Sequence, residues 1–151
     1  MRTRQEVKQL TEGFWTAFGT YMSPVVSADG IKINWVNYKT GVKDVRFTMR
    51  ANEINAIISI EFSQEEEARR QILFNKLVQL RKAFIQITGE GWHWQQNVSN
   101  ECGKAICRVS AALQNVSILN RSDWPAIISF FKPRLVALDT FWSGYKYAFE
   151  Q

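Results

Sequence analysis

The stretch Val45–Phe62, VRFTMRANEINAIISIEF, decides the fold. Val45, Phe47 and Met49 alternate with Arg46, Thr48 and Arg50, and after a short ANE turn Ile54, Ala56, Ile58, Ile60 and Phe62 fall on one face. Successive side chains of a strand point to opposite faces, so a period of two on both sides of a turn predicts an antiparallel pair with one apolar and one polar face. The apolar face needs a cover, and the flanking segments supply it.

Upstream, Ile31, Ile33 and Trp35 alternate with Lys32 and Asn34, which predicts a further strand before the YKTGVKD turn. Before that, TRQE at Thr3–Glu6 is a capping box, and Val7, Leu10, Phe14, Phe18 and Tyr21 form a helical stripe that SPVVSADG ends. Downstream, Ser63 and Glu66 predict a second capping box, followed by one long helix with Leu73, Leu77, Leu80, Phe84 and Ile87 on its buried stripe and Gly89 at its end. The acidic start of EEEARR suits the positive end of that helix. GWHWQQNV and KAICRVSAALQNVSI then predict two strands around an SNECG hairpin turn.

A last helix begins near Asp123 with Pro125 in its first turn. Pro133 is expected to kink or divide it, leaving Leu135, Leu138, Phe141, Trp142 and Tyr145 on the second part. The order is α-β-β-β-α-β-β-α, and hairpin-length connections forbid the parallel crossovers of a doubly wound fold. The expected class is α+β, two-layer, a mainly antiparallel sheet of about five strands with helices on one face, in a single domain over residues 1–151. No repeat or low-complexity segment interrupts it.

With 151 residues the chain is long enough to bury most of its apolar groups. The net charge of +5 is uneven: residues 1–50 carry eight Lys/Arg against four Asp/Glu, residues 101–151 six against four, and the middle five against six. That allows attraction to phosphate without the basic stripe of a dedicated nucleic-acid binder. No apolar stretch reaches the roughly 18 residues of a membrane span, and MRTRQEVKQLTEGF lacks the apolar core of a secretion signal. No membrane association is expected, and a reduced cytoplasmic setting is the expectation for the two cysteines, Cys102 and Cys107.

His93, the one histidine, sits between Trp92 and Trp94. In an extended segment the two tryptophans share a face and His93 takes the other. Either the tryptophans pack against Ala105, Cys107 and Val109 of the neighbouring strand, or they form an aromatic contact surface on which bases stack. One histidine and two cysteines outside C-x-x-C spacing do not make a metal site, and a dyad of His93 with either thiol has nothing to activate it. Gly-rich phosphate loops, G-x-S-x-G and H-E-x-x-H are all missing, so no metal and no cofactor is expected.

The polar face of the sheet is the richer candidate. Arg46, Thr48 and Arg50, then Ser59 and Glu61, then Lys104 and Arg108 point one way by their alternation. Arg46, Arg50, Lys104 and Arg108 are the anion-binding candidates, since guanidinium forks grip phosphate or carboxylate, while the bland alternative is a solvated face with cross-strand ion pairs. Glu61 is the one candidate for a catalytic base or metal ligand; no acid on an adjacent strand pairs with it by pattern, and Asp44, at a strand start, or another acid would have to join it.

The chain resembles a bacterial family known as a domain of unknown function, DUF4268, through Phe14–Trp15, VRFTMRAN, ISIEF, GWHW, GKAICRV, SDWP and LDTFW, in that order along nearly its whole length. The resemblance implies no established activity. Members occur as small stand-alone proteins and as the C-terminal part of longer proteins with a nuclease-like N-terminal region, which implies a place beside DNA processing or defence. The family usually carries an acid soon after the second tryptophan, where this chain has Gln95 and Gln96.

The expectation is a non-enzymatic binding module for nucleic acid or a partner protein. The alternative is a metal-dependent phosphodiester or nucleotide hydrolase with Glu61 at its centre. A further alternative is a self-associating structural domain, a homodimer built on exposed aromatics such as Trp15, Tyr38 or Tyr147.

Overall fold

The computed structural model describes residues 2–150. Its elements are α1 (Arg4–Met22), β1 (Val45–Ala51), β2 (Asn55–Phe62), α2 (Glu67–Gln79), α3 (Arg81–Thr88), β3 (His93–Ser99), β4 (Ala105–Gln114) and α4 (Trp124–Tyr145), with 3-10 turns at Arg121–Asp123 and Lys146–Phe149. The class is α+β, with the strands in one antiparallel sheet of order β1-β2-β4-β3. Two hairpins, β1–β2 and β3–β4, are joined by α2 and α3, and the second hairpin lies so that β4 meets β2 and β3 becomes an edge.

The sheet therefore has four strands where about five are expected, and the order is α-β-β-α-α-β-β-α. The missing strand is Ile31–Trp35. Its alternation marks one buried side chain, Trp35, whereas Ile31 is 58% exposed. This segment makes only an isolated bridge, Val26 to Lys32, and is held residue by residue instead: the Trp35 indole N–H donates to the Val25 carbonyl at 2.8 Å.

The first helix begins at its expected cap, with Thr3 Oγ1 accepting the Glu6 N–H at 3.1 Å. Leu10, Phe14, Phe18 and Met22 form its buried stripe, and Tyr21 is exposed. The second capping box does not form, because the Ser63 N–H is used in extending the β ladder to the Asp44 carbonyl at 2.9 Å. The helix starts at Glu67 with no side-chain cap. It also bends at Leu80, whose ψ of 11° departs from helical geometry, so one expected helix is two, α2 and α3.

Pro133 neither divides nor ends α4, which runs through it. A proline in a helix offers no N–H to the carbonyl four residues back, which is that of Ser129. Pro133 itself faces solvent, and Arg134 Nη1 donates to the neighbouring Phe130 carbonyl at 3.0 Å.

The apolar sheet face, with Ala56, Ile58, Ile60 and Phe62 of β2 at its centre, lies under α2, α3 and α4. α1 packs on α4, where Phe14 and Phe18 meet Phe131 edge to face. Edge-to-face rings add about 0.5–1.5 kcal/mol each beyond their burial, and here such pairs connect α1 to α4 and α3 to the sheet. Trp92 and Trp94 belong to this layer: both meet Phe84 of α3 edge to face, and Arg81 lies over Trp94. As aromatic contact candidates they are thus engaged by the helices, and His93 is exposed on the other side of the sheet. No described helix is long and apolar enough to cross a membrane.

Candidate anion-binding face

The ladder register places polar residues in rows across the helix-free face. Arg46, Glu61, Arg108 and Gln95 are successive partners across all four strands, and Thr48, Ser59, Ser110 and His93 form the row beside them. Alternation along each strand builds this face directly from the pattern in Val45–Phe62.

Glu61 lies at its centre, 6% exposed. Its Oε2 accepts from Arg50 Nη1 and Arg108 Nε, both at 3.0 Å. The Thr48 and Ser59 hydroxyls, 2.5 Å apart, each lie 3.2 Å from the same oxygen. Burial alone would raise the Glu61 carboxyl, but the hydrogen bond and charge of Arg50, with those of Arg108, outweigh it and hold the group below the usual carboxylate range. A carboxylate so strongly ionised is a poor proton acceptor.

Glu101, from the turn after β3, closes the cluster from outside. Its Oε1 is 3.2 Å from Arg50 Nε and 3.8 Å from Arg108 Nη2. The turn is shaped by Asn100, whose side-chain oxygen accepts the Cys102 and Lys104 N–H groups at 2.9 Å. Arg108 Nη2 is buried and makes no hydrogen bond; the carboxylate facing it is that of Glu101.

The four anion-binding candidates thus separate. Arg50 and Arg108 converge on Glu61; Arg46 shares the row, is exposed, and makes no ion pair among the described residues. Lys104 lies away from them, in a shallow depression beside Asp44, Glu65 and Glu66. Asp44 lines that depression and Glu61 does not, and among the described residues no group of three or more His, Cys, Asp or Glu side chains is placed to hold a metal ion.

Cys107 and His93 are on opposite faces, so they form no dyad: the Cys107 thiol donates to the Gln96 backbone carbonyl at 3.0 Å, and burial pushes its pKa up. Of the aromatics considered for self-association, Trp15 stacks on Phe131 and Tyr38 on Phe47, whereas Tyr147 is 68% exposed.

Two features escaped the sequence pattern. Glu101 read only as a turn residue, and nothing local signals its reach back to Arg50. Asp139 had a signal: an acid beside Leu138 on the buried stripe of α4 must find donors. Its two oxygens accept the Tyr38 hydroxyl at 2.5 Å and the Ala28 N–H at 2.7 Å, tying the segment 23–44 to α4. Burial, then the hydrogen bond and charge of Asp139, push the Tyr38 phenol far above its usual range, so it stays a donor. The Trp142 indole adds a bond to the Thr40 carbonyl at 2.7 Å.

The family model described as a domain of unknown function (DUF4268) matches residues 10–146, and the chain belongs to that family. No curated protein and no solved structure matches it.

Proposed function

For this member of the family we propose a non-enzymatic binding module that holds an anionic partner against the helix-free face of its sheet. The observation that carries this is the bracing of Arg50 and Arg108 on one buried carboxylate oxygen, with Arg46 exposed beside them and without an ion pair among the described residues. A guanidinium already oriented by a fixed carboxylate loses less freedom when it takes up a second acceptor.

A protein partner suits this face better than nucleic acid. The two tryptophans that could have stacked bases pack against Phe84 instead, and Glu61 and Glu101 offset two of the arginine charges. What is left is a modest anion-selective surface rather than a track for a polyphosphate backbone.

Fluorescence anisotropy with a labelled oligoglutamate, single-stranded DNA and duplex DNA, each over a salt series, tests the proposal. The expected result is salt-sensitive binding of the acidic peptide that weakens several-fold in Arg46→Gln. Tighter binding of DNA than of the peptide would redirect the assignment to nucleic acid, and binding of none of the probes at low salt would overturn it.

A further inference from the structure

We infer that the β1 edge of the sheet is a docking site for an extended segment of another protein in which acidic and apolar residues alternate, added to the sheet as a fifth strand; this rests on the anion-binding face proposed above. The two edges of the sheet differ. β3 carries a register shift between Gln95 and Val98, and its bulged backbone is capped by Gln71, which exchanges hydrogen bonds with Gln96. Bulges of this kind protect an edge from pairing. β1 has seven residues in unbroken register, without bulge or proline.

The parity of the ladder fixes which backbone groups of β1 face outward. Asn52 N–H donates to the Asn55 carbonyl at 3.0 Å and Ser63 N–H to the Asp44 carbonyl at 2.9 Å. Arg46, Thr48 and Arg50 share that parity and turn their backbone groups to β2, so Val45, Phe47, Met49 and Ala51 turn theirs away. Val45 is used locally: its N–H reaches the Val42 carbonyl and its carbonyl accepts the Thr40 hydroxyl at 2.7 Å. Among the described residues no hydrogen bond satisfies the outward groups of Phe47, Met49 and Ala51. Phe47 and Met49 border a groove of about 740 Å³ between residues 36–44 and β1.

Side-chain alternation names the occupant. Residues of an added strand opposite Arg46 and Arg50 fall on the polar face, and Lys39 and Lys43 also line the groove, against the single acid Asp44. Those positions favour carboxylates. The alternate residues fall on the helix side beside Met49 and the Tyr38 ring stacked on Phe47, and favour apolar groups. A second copy of this chain fits poorly, because pairing two β1 strands would bring Arg46 and Arg50 of both copies together on one face.

The test uses a labelled peptide of about seven residues alternating glutamate and valine, enough to span the open part of the edge. Its lysine–valine counterpart is the control. Amide exchange of the whole protein is followed by NMR. The expected result is binding of the acidic peptide only, with exchange slowed at least about tenfold at Phe47, Met49 and Ala51. Met49→Pro removes one outward N–H where an edge strand tolerates proline, and should weaken binding with the circular dichroism spectrum unchanged. Exchange in the unaltered protein decides the matter should that variant misfold. Peptide binding that weakens in Arg46→Gln but leaves those three amides unprotected overturns strand addition and leaves the polar-face proposal standing. Binding of neither peptide, together with none of oligoglutamate, overturns both. Protection of the same amides without peptide, rising with protein concentration, overturns the acidic partner in favour of a second copy.

Discussion

Arg50 and Arg108 lie on strands that do not touch, yet both guanidinium groups meet one oxygen, Glu61 Oε2, at 3.0 Å. β2 lies between β1 and β4, so Glu61 pins both outer strands to the central one by side chain as well as backbone. The same contact orients the arginines toward the open face and lowers the carboxyl's proton affinity.

Glu61→Gln keeps the shape and removes the charge. Breaking a buried pair costs about 3–5 kcal/mol, and the lower end is expected because Arg50 is over a third exposed and can turn to solvent. Urea unfolding of the variant and the parent protein checks this. A loss below about 0.5 kcal/mol, the range of an ordinary surface change, would mean that the cluster is not structural.

The pH dependence has a definite sign. The Glu61 carboxyl is held below its unfolded value, about 4.3, so its contribution is present above that pH and is lost as pH falls through the folded value. Stability of the parent protein should therefore drop more steeply below about pH 4.3 than that of Glu61→Gln. Parallel curves for the two proteins would contradict this.

Tyr38→Phe removes the hydroxyl that Asp139 accepts. A hydrogen bond to a charged group is worth about 1.5–3 kcal/mol, and the variant should lose that much while segment 23–44 becomes easier to cleave. Limited proteolysis with mass mapping reads it directly. Unchanged cleavage would show that the Ala28–Asp139 bond and the Trp142 and Trp35 indoles hold the segment without the Tyr38 hydroxyl.

The GWHW triplet separates by parity. Trp94→Ala should cost about 2 kcal/mol, below the roughly 3–5 of a fully buried aromatic because Trp94 is half-buried, and His93→Ala about 0.5 kcal/mol or less. Thermal unfolding of the two variants tests the ranking, and a reversal would place His93 in the packed layer.

Much of this architecture is legible in residue pattern. β1, β2 and β4 each turn an apolar face to the core over seven or more residues, and α1 has both its cap and its stripe, so local preference and packing agree. Ile31–Trp35 misleads because a short alternation around one buried tryptophan cannot reveal whether a neighbouring strand exists. The bend at Leu80 has no glycine or proline to announce it. Pro133 announces a break, yet α4 runs through it with the proline facing solvent. On the polar face, the facing of Arg46, Arg50, Glu61 and Arg108 follows from alternation. Which arginines converge does not, since it depends on the diagonal reach of Arg50 and on Glu101 folding back from a turn.

The helix-free face is tested most directly by a backbone NMR titration with the alternating glutamate–valine peptide. Shift changes concentrated on Arg46–Arg50 and Arg108, weakened by salt and by Arg46→Gln, are the result predicted. Changes confined to the helical layer, or none up to millimolar peptide, would contradict the assignment of this face as the binding surface.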